Sequence, residues 1–360
     1  MNEGGELMSV PSSYSHPDQA VRHSYPLAVQ DAGLGTAISL FMRTLPYALA
    51  RFGILVAVSV VTIVWYVLTF GGAALLGGKV HPFAGYAWLF TGLGVYGYVW
   101  WTIVRYGLYL LKAGHVAVLT ELITRGEIGG GAEGMFVYGK RVVTERFGQV
   151  NAMFALDMLI HGIVRAFNRT LNWIASLLPV PGLRNVVAIV NAIVHAATTF
   201  IDETILSYSL ARGDSDNFRS SRDGLIYYAQ NSKEVLKTGV WVVILDKVAT
   251  FVTWLVMLAP GFVLAWILPG SIAGAGSLAA FFIAGLFAWN LRAAFLEPLF
   301  LTMVMIKFHV SVQNQPIDLV WDERLSSAST KFVELKNKIA GQRRPAGAVA
   351  DIEPALTPGG

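Results

Sequence analysis

The chain has 360 residues, 54% of them apolar and only 14% charged, with a net charge of +4 and no cysteine. Soluble domains carry about 25% charged residues, so this composition excludes a soluble enzyme, a disordered chain and every thiolate-based metal or disulfide framework. The basic excess in so apolar a chain reads as basic loops flanking membrane segments, not as a nucleic-acid surface.

Residues 1–33 are polar, contain Pro11, Pro17 and Pro26 and lack an apolar run behind a basic start. They read as a flexible tail and not as a signal peptide. Two charge-free windows follow, Phe52 to Gly78 and Val80 to Val104, of 27 and 25 residues. Each is long enough to cross a hydrocarbon core of about 30 Å as a helix. Val248 to Leu291 is a third window, 44 residues long. Its Pro269-Gly270 break divides it into two further helices, and Arg292 falls at the edge of the second. These four spans are the secure ones.

The middle of the chain is more polar. Asn185 to Ile201 has 17 uncharged residues, and Phe154 to Leu178 is helical in pattern but carries Asp157, Arg165 and Arg169. Pro179-Val180-Pro181-Gly182 joins the two as a tight turn. The pair reads as a hairpin that spans, re-enters or lies in the interface, because charges at mid-membrane cost about 2.5–3.5 kcal/mol each on insertion scales. The expected fold is therefore an all-α polytopic transmembrane bundle, six helices as three hairpins, over residues 34–311. The short connections hold only Lys79 and Arg184, whereas the loops near 105–150 and 206–247 and the C-terminal part 312–360 are basic. That bias places both termini in the cytoplasm of a cell (inner or plasma) membrane protein.

The Gly-rich run Gly126 to Gly134 lacks the Lys-Ser/Thr of a phosphate loop and reads as a linker. Trp321 to Gln342 reads as an amphipathic cytosolic helix, with Lys331, Lys336 and Lys338 facing water or anionic head groups.

Asp157, His161, Arg165 and Arg169 recur every four residues, and Asn191, His195, Thr199 and Asp202 make a second stripe. Folding one helix on the other about Pro181 brings the stripes together. Asp157, His161, Arg165, His195 and Asp202 are therefore candidates for a proton or solute pathway, or else for stripes turned to water. Trp88, Tyr96, Trp100 and Trp101 are candidate cation contacts or an aromatic belt. Gly276, Ala280, Ala284 and Ala288 form a small-residue ridge suited to helix packing or to a homo-oligomer. Asp246-Lys247 flanks a span, and Glu297-Pro298 reads as an interfacial helix break. The sequence names no catalytic motif, metal-ligand spacing or cofactor motif. It points to a non-enzymatic chain whose partners are the bilayer, basic-loop lipids or another membrane protein.

Asn217-Phe218-Arg219-Ser220-Ser221-Arg222-Asp223, followed by Val242-Val243-Ile244-Leu245-Asp246-Lys247-Val248, resembles the choline transporter-like family over residues 200–310. The resemblance implies transport of a choline-like cation, with Asn217, Phe218, Asp246 and Lys247 as the residues that carry the motif. This chain has fewer spans than that family's usual ten and lacks its cysteine-bearing outer loop. A scaffold or accessory subunit that binds a partner through its cytoplasmic loops is the other reading.

Overall fold

The computed structural model describes residues 25–147, 199–213, 217–267 and 273–342. They are helical throughout: α1 (Leu34–Arg43), α2 (Leu45–Lys79), α3 (Pro82–Val99), α4 (Arg105–Arg125), α5 (Met135–Phe147), α6 (Ile201–Arg212), α7 (Asn217–Gln230), α8 (Ser232–Ile267), α9 (Ala273–Leu291), α10 (Glu297–Val312), α11 (Leu319–Ala328) and α12 (Thr330–Gln342). π-turns at Trp100–Val104 and Arg292–Leu296 join α3 to α4 and α9 to α10 without breaking either helix.

Two zones of opposite character make up the molecule. In the first, α2 pairs with α3 and α8 with α9 as two hairpins, in contact through α2 and α9. Their outer faces are apolar and bare, from Val61 and Val67 to Trp101, Phe251 and Trp266. A surface of this kind needs lipid to cover it. Among the described residues, three helices, Leu45–Lys79, Ser232–Ala259 and Phe281–Val312, are long and apolar enough to cross a membrane. This is a membrane protein. The window expected at 80–104 became α3 and its π-turn.

The second zone is a packed body of α1, α4–α7 and α10–α12, where most of the buried hydrophobic side chains lie. One cluster gathers Tyr208, Tyr227, Phe308, Phe332 and Leu335, and another gathers Leu40, Leu119, Leu122, Phe300 and Met305. The loops expected near 105–150 and 206–247 are largely the helices of this body. α4 is buried without interruption from Ala113 to Thr124, so it has no polar face by which a sequence pattern reveals a helix.

Residues 25–33, expected as part of the tail, are strapped to the body. The N–H groups of Ala28 and Val29 donate to the Ile123 carbonyl, and Leu27 and Val29 pack into the second cluster. The Gly126–Gly134 run is an ordered turn and not a loose linker. Gly126 caps α4 at φ 79°, and Gly130 and Gly131 hold φ 67° and 80°, a region that side chains disfavour. Arg43 donates to the Gly126 carbonyl at 2.7 Å. The C-terminal helix divides at Ser329 into α11 and α12. Phe332, Leu335 and Ile339 bury its inner side, while Lys331, Lys336 and Lys338 pair with Glu334 and Asp322.

Candidate functional site

The two hairpins enter the body at one ionic joint. Arg51 of α2 donates to Glu297 Oε2 at 2.9 Å, and Arg292 on the second π-turn donates to Glu297 Oε1 at 3.4 Å. Arg292 Nε also donates to Asp246 of α8 at 2.8 Å. Two cations and two anions thus close a neutral chain across α2, α8, the π-turn and α10. Beyond the joint, Asn290 of α9 donates to Ser59 Oγ of α2 at 2.9 Å. Pro298 explains why a π-turn lies here: its ring would press on the carbonyl four residues earlier in a regular helix, and that residue, Ala294, lies inside the wider turn. The expected helix break at Glu297-Pro298 is therefore a bulge in an unbroken helix.

Each charge is partly exposed, so the joint's strength lies in its pattern. Replacing Arg292 by Asp sets three anions together. Such a variant is expected to lose about 2 kcal/mol of stability, and Arg292→Asp combined with Asp246→Arg is expected to recover much of it. Thermal unfolding of the three proteins in one detergent checks both expectations.

Deeper in the body, Tyr25, His309, Ser207 and Thr120 form a buried hydrogen-bonded chain. Tyr25 Oη lies 2.7 Å from His309 Nδ1, His309 Nε2 2.7 Å from Ser207 Oγ, and Ser207 Oγ 2.7 Å from Thr120 Oγ1. Proton counting gives the chain a direction. Thr120 donates its one proton to the Val116 carbonyl at 2.7 Å, so Ser207 must donate to Thr120. Ser207 then accepts from His309, whose proton sits on Nε2, and Nδ1 accepts from Tyr25. A histidine that donates to a serine cannot deprotonate it, so this serine–histidine pair is not an activated nucleophile. Its work is to hold α4, α6, α10 and the strap together. Beside Thr120 lies a cavity of about 210 Å³, lined by Glu121, Thr124, Arg125, Tyr138 and Glu145. The buried Glu121 pairs with Arg125 at 2.8 Å.

His115 of α4 is the body's second buried histidine. It contacts Thr44 Oγ1 at 3.0 Å and stacks on Tyr47 with ring centroids 5.0 Å apart. Burial, and after it the charge of Arg51, pushes its pKa down to about 3. The folded state therefore resists a proton that the unfolded chain takes up near 6.5. The stability this gives is complete above pH 6.5 and falls as the pH drops toward 3. By pH 5 the loss is about 2 kcal/mol. His309, buried with its pKa likewise pushed down to about 3, adds a loss of its own in this window, so His115→Gln is expected to remove about half of the total fall, which chemical unfolding between pH 7 and 5 measures.

Of the residues singled out in the sequence, Asp157, His161, Arg165 and His195 lie outside the described residues. Asp202 is in the first turn of α6 and is partly buried. The four aromatics do not share a box. Tyr96 stacks with Trp100 at 6.0 Å and contacts the Thr62 hydroxyl at 3.0 Å. Trp88 donates to the Leu68 carbonyl at 3.3 Å, about three helical turns away along α3, and Trp101 is 64% exposed on the outer face. These contacts tie α3 to α2.

Ala284 and Ala288 are buried inside this chain, whereas the side chains of Gly276 and Ala280 lie outside the description. Asn217 opens α7, and Lys338 sits 5.9 Å above the Phe218 ring. Asp223, at the end of that motif, is buried between Arg212 and Arg222 at 2.9 and 2.7 Å. Asp246 belongs to the ionic joint, while Lys247 is exposed.

Arg51, Thr120 and Ser207 carried no signal in the sequence. His309, a lone imidazole in the apolar run Phe300 to Val312, was a readable one. No family model, curated protein or solved structure matches the chain.

Proposed function

We propose that this chain is a multi-pass transporter-type membrane protein for a small polar or cationic solute, with its body and both termini in the cytoplasm. The ionic joint of Arg51, Glu297, Arg292 and Asp246 carries the reading. Ion pairs between membrane helices, turned to a bundle interior, mark places where polar species or protons move. A neutral chain of exchangeable pairs can open for a solute and close behind it, and π-turns recur at such working positions. The basic flanks Arg51, Arg105 and Lys247 at the body end, against Lys79 at a hairpin tip, support the sidedness. The resemblance in residues 200–310 supports a choline-like cation as the first solute to try.

The test is uptake of labelled choline, and in parallel of protons, by proteoliposomes of the intact protein. Uptake is expected, with at least a tenfold loss in Arg292→Gln. Absence of both fluxes from well-folded protein would sink the transport reading. It would leave a membrane scaffold, the reading favoured by a body that gathers most of the helices and carries the polar cavity.

A further inference from the structure

The polar cavity of the body lies well away from the ionic joint: Glu121 on its wall is about four helical turns along α4 from Arg105. Two helices end at it. Arg125 stands in the last turn of α4, and Gly213 caps α6. A helix C-terminus carries roughly half a negative charge, so two of them at one cavity favour a cation there. α5 closes another side with Tyr138 and Glu145, and the strap adds Pro26. At about 210 Å³ the space far exceeds that of one water, roughly 10–15 Å³, yet it is smaller than a drug-sized site.

The side chains on the wall are acceptors almost without exception. Thr120 donates its proton to the Val116 carbonyl at 2.7 Å, and Thr124 donates to the Thr120 carbonyl at 2.8 Å. Both hydroxyls therefore have only lone pairs left to offer, and the carboxylates of Glu121 and Glu145 can only accept. Burial, and after it the hydrogen bond and charge of Glu121, raise the pKa of the Tyr138 hydroxyl. That phenol stays neutral, its proton already committed to the carboxylate. A guest here must bring the donors.

Arg125 is the exception, and it shows what such a guest looks like. The Glu121 side chain is 7% exposed, whereas that of Arg125, paired with it at 2.8 Å, is 66% exposed. The guanidinium reaches in from the mouth on its own tether. A second guanidinium, that of Arg141, lies 5.2 Å from the centroid of the Tyr138 ring. The carboxylate and the aromatic ring of this wall thus each already hold a planar cation.

We infer that the cavity binds a small organic cation with N–H donors, an alkylamine or alkylguanidine, which replaces Arg125 on Glu121. A quaternary ammonium has no N–H to give and would leave the acceptors unpaired. An anion would meet two carboxylates and two helix C-termini. The guest touches α4, α5, α6 and the strap together, so its binding tightens the body. The site stands whether the protein transports or serves as a scaffold.

Calorimetric titration of the intact protein in detergent, with butylguanidinium as the probe, tests this. Saturable binding is expected. Arg125→Ala removes the tethered competitor and is expected to bind the probe about tenfold more tightly. The probe should also restore the thermal stability that this variant loses. Glu121→Gln is expected to bind about tenfold more weakly. Glu145→Gln, at a side chain 60% exposed, should weaken binding to a smaller degree without touching the fold. Absence of binding to both the wild type and Arg125→Ala would overturn the inference. So would choline or butyrate binding as well as the probe, or an affinity unchanged in both Arg125→Ala and Glu121→Gln. Arg292→Gln is expected to bind the probe as the wild type does, which separates this site from the uptake assay. Matched gel-filtration profiles show that the variants stay folded.

Discussion

His309→Leu is expected to cost about 3 kcal/mol of stability and to free the N-terminal strap. Leucine fills much of the space but accepts no hydrogen bond from Tyr25 and donates none to Ser207. Both hydroxyls then stay in a core where His309 and Ser207 are fully buried. A stranded buried polar group costs about 1–3 kcal/mol; the Tyr25 hydroxyl is one, while Ser207 keeps its bond to Thr120 and loses only the one it accepted. Tyr25 also loses its edge contact with the imidazole, now at a centroid distance of 5.5 Å. The strap keeps the bonds of Ala28 and Val29 to Ile123, the packing of Leu27 and Val29 and the Tyr25–Tyr208 ring contact, but loses its tie to α10, so limited proteolysis should cut near residues 25–33 sooner in the variant. Ser207→Ala, which strands only the imidazole N–H, is expected to cost about half as much. An unchanged unfolding midpoint in the leucine variant would show that the chain of hydrogen bonds does not hold the body together.

A larger effect is expected from Gly85→Val. A Cβ at Gly85 would lie 2.6 Å from the Ala73 carbonyl oxygen and 2.8 and 2.9 Å from Gly77 Cα and N. These are backbone atoms of the facing helix, which cannot rotate away as a side chain would. α2 and α3 approach this closely because glycine faces glycine, the device by which membrane helices gain packing without a hydrophobic drive between them. Overpacking costs about 1–3 kcal/mol even where side chains can yield. Here the arms must separate, and the yield of monodisperse protein should collapse. Gly94→Val on the same helix meets open space and is expected to behave as wild type. Equal yields of the two variants in gel filtration would refute this account of the hairpin.

The parts of this fold that were legible are those written locally in the chain. Charge-free windows marked both described hairpins because lipid tolerates few charges over 20 residues. The ionic joint was not legible, since Arg51 and Glu297 are 246 positions apart and Asp246 and Arg292 each read as an ordinary flanking charge. The body was missed for another reason. α4 is enclosed on every side, and its mixture of Thr, Glu, His and apolar residues follows no periodic face. The glycines of 126–134 looked like slack, yet Gly126, Gly129, Gly130 and Gly131 hold the positive φ angles this turn needs. The strap was missed because its anchors, Tyr25 with His309 and Ala28 with Ile123, are tertiary pairings between distant segments.

The π-turns bear on how such a protein tolerates change in length. Each adds about one residue to a helical turn, which rotates everything below it by about 100° relative to everything above. The face that α9 shows to α2 and the face that α10 shows to the body are thus set in phase independently, although one rod of hydrogen bonds carries both. An arm can gain or lose a residue on one side of the turn while the other side keeps its register, and the turn absorbs the difference. Membrane thickness and body packing can then be tuned separately along a single helix.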